Sequence, residues 1–310
     1  VVKLKSRIEK IADDLFLIPL TPPIRGFSDF ITAWLYRGDS TYLIDVGPSV
    51  CVPDLMCALQ ALDVRQLDAI LLTHIHLDHA GGIGDIAEAF PQAPIICHQI
   101  AIPHLADPAL LWEGTKKVLG SMALSYGPIK PVAENRLQAA DHFETNIIKP
   151  IITPGHAAHH VSYQSEKYLF AGETAGVFRA LPGNRVYLRP ATPPKFFLDE
   201  ALRSVDALIE CQPQMVCYSH FGVHPDALKM LHLHRRQLRL WEQLLRAEKN
   251  KFDETERAAK CLEMLLREDN LMGTFDRLPM DIQAREKYFL ENSINGYLGY
   301  LRSQVQGSGF

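Results

Sequence analysis

No run of apolar residues in this chain approaches the ~18 that a membrane-spanning helix requires, which argues against a membrane protein. The first residues, Val1-Val2-Lys3-Leu4-Lys5, lack the apolar segment of a secretory leader, so a cytoplasmic setting is expected. The six cysteines (Cys51, Cys57, Cys97, Cys211, Cys217 and Cys261) form no Cys-x-x-Cys pair. In a chain of this length that reads as reduced thiols and not as a disulfide framework. A reactive thiol at Cys217, three residues before His220, is the functional alternative to a buried, inert one. Basic residues are not in excess either: 32 Lys and Arg stand against 36 Asp and Glu, a net charge of −4. That gives no electrostatic reason to expect nucleic acid or an anionic membrane as partner. Internal repeats, low-complexity tracts and a Gly-rich phosphate loop are also missing, which removes solenoids and leaves no sign of a nucleotide or flavin domain.

What is present is the composition of a soluble globular protein, 47% hydrophobic and 22% charged over 310 residues. The apolar pattern alternates between strand and helix. Strands are expected at Leu15–Leu20, Ala33–Tyr36, Tyr42–Val46, Leu67–Thr73, Pro94–Cys97, Ile147–Thr153, Val161–Gln164, Tyr168–Ala171 and Met215–Ser219. Helical spacing marks Pro53–Leu62, Asp78–Phe90 and Leu198–Glu210, with a helical, less patterned region from Ile100 to about Leu124. Strands with interspersed helices suggest an α/β-layered domain to about Val223. Beyond Asp226 the pattern is helical to Arg302, with breaks near Asn250, Asn270–Leu278 and Pro279. Leu231, Leu238, Trp241 and Leu245 fall on one face, as do Leu290, Ile294, Leu298 and Leu301. These helices read either as a lid or dimerisation element, which would make the chain a homodimer, or as an extension packed down for stability.

The chemistry concentrates after the strand ending near Thr73. His74-Ile75-His76-Leu77-Asp78-His79 places four donors within six positions, and Gly81-Gly82 follows. At a strand's end the chain can turn, so that alternate residues converge on one point. Imidazole nitrogen and carboxylate oxygen suit Zn²⁺, and equally Fe²⁺ or Mn²⁺. A lone His is usually structural; this density points to metal.

The segment resembles the Thr-His-x-His-x-Asp-His-x-Gly-Gly signature of the metallo-β-lactamase superfamily. Thr153-Pro154-Gly155-His156, Ala171-Gly172-Glu173-Thr174 and Tyr218-Ser219-His220-Phe221-Gly222 stand where that family has its further ligands. The resemblance runs from about Leu15 to His224. It implies an αββα sandwich over residues 1–224, with a C-terminal helical extension over 225–310. It also implies two divalent metal ions, zinc first, with iron or manganese as alternatives. His74, His76 and His156 would form one site and Asp78, His79 and His220 the second, with Glu173 between them and Asp78 steering protons. Glu173 departs from the family's usual Asp and lengthens the side chain by a methylene.

The implied activity is hydrolysis by a metal-bound hydroxide, and the glyoxalase-II-like and lactonase-like branches favour a small acyl ester, thioester or lactone. A diiron redox protein and a metal-bound ligand sensor are the competing classes. A β-lactamase and a nuclease fit less well, for want of a leader and of a basic surface. Asp45 reads either as an acceptor for the ring N–H of a ligand His or as a turn residue before Gly47. His160 reads as part of a network near the site, and His159 as peripheral. His98, His104, His142, His224, His232 and His234 lack ligand spacing. Arg179, Arg185, Tyr187 and Arg189, on a segment that reads as a loop, are candidates for contacting an anionic substrate.

Overall fold

The computed structural model describes residues 7–248 and 254–306. The break expected near Asn250 lies outside these residues. Among them, seven strands join in sequence order into one sheet: β1 (Glu9–Ala12), β2 (Leu15–Leu20), β3 (Ile31–Arg37), β4 (Thr41–Ile44), β5 (Ala69–Leu71), β6 (Ile95–Cys97) and β7 (Leu137–Ala139). The first four pair antiparallel, and β4 to β7 run parallel. A second sheet contains β8 (Ile148–Ile152), β9 (Val161–Ser165) and β10 (Tyr168–Gly172). It is completed, beyond a separate hairpin of β11 (Val177–Leu181) and β12 (Arg185–Arg189), by β13 (Met215–Tyr218) and β14 (Gly222–His224).

Helices cover both outer faces. Against the first sheet lie α1 (Val52–Ala61), α2 (Leu77–Ala80), α3 (Ile83–Ala89), α4 (Ile102–Ala106), α5 (Ala109–Leu119) and α6 (Ser121–Tyr126). Against the second lie α7 (Leu198–Glu210), α8 (Ala227–Glu248), α9 (Glu254–Glu268) and α10 (Met280–Gln306). The strands are apolar on both faces because each sheet is covered twice. In β2, Leu15 and Leu17 enter the core between the sheets, while Phe16, Ile18 and Leu20 enter the outer core under the helices. In β10 the same alternation sends Tyr168 and Phe170 inward and Leu169 and Ala171 toward α7 and α8. The result is the layered αββα arrangement. No helix among the described residues is long and apolar enough to cross a membrane.

Two local expectations need correction. Asp78–Phe90 is not one helix: α2 begins at Leu77 and the chain re-forms as α3 after Gly82. Gly82 N–H bonds to the Gly47 carbonyl, and Val46 and Gly47 both donate to His79 O, so docking on the 45–48 turn interrupts the helix. The Arg179–Arg189 segment is also not a loop but the β11–β12 hairpin, turned at Gly183 and Asn184, both at positive φ.

The C-terminal helices share a core with the second sheet. All eight residues of their two apolar faces are buried with Leu169, Val216 and Leu202. A buried ion network ties α10 to the hairpin. Glu286 accepts from Arg189 Nε and Tyr187 Oη on one oxygen, and from Arg285 Nη2 at 2.8 Å on the other. Burial pushes the Glu286 carboxyl up, but the Arg189 and Arg285 charges outweigh it and hold it at about 2, against an ordinary 4.5. The stability this carboxylate supplies is therefore complete above about pH 4.5 and is lost as pH falls through about 2. Glu286→Gln should destabilise the chain by about 3–5 kcal/mol at pH 7, because two arginines lose their counter-charge. That deficit should narrow by about 1 kcal/mol at pH 3.5. Urea unfolding at both pH values measures it, and an equal deficit at both would contradict this role.

Candidate metal centre

Asp45 follows β4 in a left-handed conformation, φ 56°, and its carboxylate is 1% exposed. Four donors close on it. Thr73 gives its backbone N–H at 2.8 Å to one oxygen and its hydroxyl at 2.8 Å to the other. His79 Nδ1–H donates at 3.1 Å and Ser219 Oγ at 3.0 Å. Burying a carboxylate is tolerable only when its lone pairs are taken in this way. Since the Thr73 hydroxyl gives its one hydrogen to Asp45, it can only accept from His74 Nδ1–H, 3.0 Å away. One carboxylate thus orients two histidine rings, His79 directly and His74 through Thr73. Of the two readings of Asp45, the acceptor for histidine N–H is the one the geometry shows.

Two further rings are fixed by backbone carbonyls. His156, after β8, donates from Nδ1 to Ala191 O at 2.8 Å, and His220, after β13, from Nδ1 to Phe30 O at 3.1 Å. The Phe30 ring also stacks on His220, centroids 4.3 Å apart, and the Arg285 guanidinium lies 3.8 Å from the centre of the Phe30 ring. With Nδ1 occupied in His74, His79, His156 and His220, each Nε2 lone pair points inward.

Glu173 leaves the end of β10 through Gly172, whose φ is +58° and where an added Cβ would collide with the His160 ring. His160 Nε2 accepts the Glu173 N–H at 3.1 Å, and its Nδ1 bonds Thr153 Oγ1 at 2.8 Å. His160 therefore positions the carboxylate's backbone, as its expected network role requires.

All seven candidate ligands converge. His74, His76, His156 and Glu173 form one group and Asp78, His79 and His220 another, with the ligand atoms of each group within 4.8 Å of one another. Glu173 faces both groups. Its Oε2 lies 2.6 Å from His156 Nε2 and 3.4 Å from His74 Nε2, and its Oε1 lies 3.2 Å from His220 Nε2. Asp78 Oδ2 is 3.7 Å from His79 Nε2 and 3.5 Å from His220 Nε2.

This donor set fits cations. His74 Nε2 is buried with no hydrogen-bond partner, an expensive state for a polar atom. His156 Nε2 faces His76 Nδ1 at 3.1 Å, and His79 Nε2 faces His220 Nε2 at 3.3 Å. With their Nδ1–H groups donating elsewhere, His79 Nε2 and His220 Nε2 meet as paired acceptors, which need positive charge between them. The pocket's own charges act the same way. Burial, and then His79 and His76, push His74 well down; burial, and then His156, bring His76 to about 4. Burial also opposes the charged forms of His79 and His156. Asp78 and Asp45 nevertheless raise His79 to about 9, and Glu173 raises His156. Despite burial, His156 and His220 hold the Glu173 carboxyl well below its ordinary range. Positive charge is thus favoured at His156 in the first group and at His79 in the second, each beside a carboxylate, while His74 and His76 stay neutral donors.

Above this floor opens a cavity of about 720 Å³, reached by His76, Asp78, His156, Glu173 and His220 and walled by α5 and α10. His159, expected to be peripheral, lines it; its ring lies 5.6 Å from that of His76, and burial lowers it to about 3. Of the candidate anion contacts, only Arg189 lines this cavity. Arg185 bonds Pro182 O at the surface, Arg179 bonds Asp29 O, and Tyr187 is buried against Glu286. Cys217 is buried in the core between the sheets, which pushes its thiol well up and leaves it inert. Phe30 and Ala191 act through backbone carbonyls, which no sequence pattern announces. Ser219 is a further functional residue absent from the expected set, although its place beside His220 is a signal that could have found it.

Residues 28–220 match the family profile described as the Metallo-beta-lactamase superfamily. A metallo-beta-lactamase fold-containing protein of Sulfurisphaera tokodaii is 28% identical over 216 residues, 67% of this chain and 78% of that protein. A hydroxyacylglutathione hydrolase of Yersinia enterocolitica is 31% identical over 153 residues, 48% of this chain, and the match spans only 50% of that relative's length. Among solved structures, an archaeal metallo-beta-lactamase superfamily protein from Sulfolobus tokodaii superposes with a TM-score of 0.67 at 24% identity, covering 94% of this chain and 99% of its own. A metallo-beta-lactamase family protein from Thermus thermophilus gives 0.65 at 19% identity, covering 96% and 95%. These structural matches share the fold, including the C-terminal helices.

Asp45→Asn should weaken divalent-cation binding about 10–100-fold, since the amide nitrogen would face donors that now meet an oxygen. Competition with a coloured chelator measures this. Affinity at the wild-type level would show that the Asp45 hub does not orient the rings.

Proposed function

Because this chain belongs to the metallo-beta-lactamase superfamily, we propose that it is a metal-dependent hydrolase of a small acyl ester, thioester or lactone, working with two divalent cations, zinc first and iron or manganese as alternatives. The observation that carries this reading is the Glu173 carboxylate, with one oxygen 2.6 Å from His156 and the other 3.2 Å from His220. Two cations close together repel, and an anion between them is what such a pair requires. His74, His76 and His156 would hold the first and Asp78, His79 and His220 the second, with Glu173 serving both. When bound, the cations supply acidified water as nucleophile and a Lewis acid for the developing oxyanion.

The rest is done by the chain's own groups. Asp45, Ala191 O and Phe30 O fix the tautomer and tilt of the rings, so little reorganisation is needed during reaction. The Asp78 carboxylate borders the cavity. There it takes up the proton released as water adds to the acyl carbon and returns it to the departing oxygen or sulfur. The cavity is of the size that encloses a small molecule, so the partner in this reading is a small-molecule substrate.

Zinc-replete protein screened against simple esters, thioesters and lactones tests the activity; two bound ions with no turnover of any of them would overturn it. His74→Ala should lose the first ion and all hydrolysis. Glu173→Gln should hold about one cation per chain and lose most activity, with Glu173→Asp in between. Two tightly held cations in Glu173→Gln, by elemental analysis after dialysis, would show that Glu173 is not a ligand.

A further inference from the structure

The walls of the cavity differ in character from its floor. On α5, Leu110, Gly114 and Val118 lie one turn apart along a single face that lines it. Leu110 is 77% exposed and Val118 60% exposed, so two large apolar side chains line the cavity with none of the described residues covering them. Gly114 between them makes a gap: a Cβ added there would meet no atom within 4 Å. A glycine inside a helix costs about 1 kcal/mol relative to alanine, and here no neighbouring atom requires it. Phe289 of α10, Pro193 and Pro194 line the same cavity. From Leu110 to Val118 the helix rises about 12 Å, the reach of an extended chain of roughly ten carbon–carbon bonds.

Charge on these walls is scarce. Among the described residues that line the cavity, Arg189 is the one Lys or Arg. Its guanidinium is buried and paired with Glu286, so it offers no free positive charge to a ligand. The Asn292 side chain on α10 lines the cavity with no hydrogen bond to the described residues, a neutral donor and acceptor available to a ligand. The polar lining outside the floor includes His104, Thr115, His159, Thr192, Asn292 and Ser293, so a substrate bearing carboxylates away from its reacting bond would meet no unpaired lysine or arginine to offset their desolvation.

Resting on the hydrolase reading above, we propose that the substrate is an uncharged acyl ester or thioester whose apolar chain lies in the groove between the Leu110–Val118 face and Phe289, and not a carboxylate-bearing thioester such as one of glutathione. Each methylene moved from water into such a groove favours binding, by about two- to fourfold where it is well covered.

The test uses zinc-replete full-length protein. Across straight-chain esters from acetyl to decanoyl, kcat/KM should rise about two- to fourfold per methylene at first. It should also exceed that for a glutathione thioester. Gly114→Leu, which fills the gap without disturbing a packed neighbour, should move the best chain to a shorter one, and Val118→Asn should lower the decanoyl-to-acetyl ratio. Calorimetry with decanamide, which needs no turnover, should show binding that is about tenfold weaker in Val118→Asn. Equal turnover of acetyl and decanoyl esters, preference for the glutathione thioester, or no decanamide binding would each overturn the proposal. Decanamide binding that Val118→Asn weakens, with no ester hydrolysed, would support the groove and instead defeat the hydrolase reading.

Discussion

The carboxylate of Asp45 has to be satisfied, and the way it is satisfied determines where the rest of the centre sits. Its four donors come from the end of β5, from α2 and from the end of β13, so both sheets are pinned to one buried charge. An unpaired carboxylate at that depth would cost several kcal/mol. Each donor that meets it is adjacent to, or is itself, one of the candidate ligands. Thr73 precedes His74, His79 is itself a candidate ligand, and Ser219 precedes His220. Stability of the β-sandwich and orientation of the rings are therefore the same interaction seen from two sides.

A second line of support reaches the centre from the C-terminal helices. Glu286 holds Arg285, Arg285 lies against the Phe30 ring, and Phe30 both stacks on His220 and accepts its Nδ1–H. The same Glu286 anchors Arg189 beneath the cavity. Helix α10 thus serves two ends: it closes the core over the second sheet and it contributes Phe289 and Asn292 to the cavity wall. A centre of buried rings and carboxylates beneath an apolar groove separates tasks that would conflict if mixed. The floor concentrates titratable groups, and among the described residues the walls carry Arg189, already paired with Glu286, as their one lysine or arginine.

Much of this can be read from the sequence, for a physical reason. Donor residues that converge at strand ends must be close in sequence or anchored beside rigid strands, and the candidate ligands His74, His76, Asp78 and His79 are both. Leu15–Leu20 and Leu198–Glu210 are bounded as their apolar patterns predict, because a buried strand and an amphipathic helix carry their periodicity openly. Other features have weaker signals. The β11–β12 hairpin alternates only briefly, and its Pro182-Gly183-Asn184 turn has the composition of any surface loop. The break between α2 and α3 depends on hydrogen bonds to the 45–48 turn, a contact that exists only after folding. His159 looks peripheral in the sequence because its neighbours in space, His74 and His76, are some 80 residues away in the chain. Phe30 O and Ala191 O act through atoms that every residue possesses, so their roles leave no mark in the sequence.

One saturated carboxylate, with the groups it holds in place, brings seven side chains together in two groups that could each hold a cation. Anomalous scattering from a crystal of the zinc-loaded protein tests it most directly. Two zinc peaks are predicted, one among His74, His76 and His156 and one among Asp78, His79 and His220, with the Glu173 carboxylate between them and His79 Nδ1 still bonded to Asp45. A single peak, or zinc bound away from these residues, or a Glu173 side chain turned out of the centre, would contradict the account.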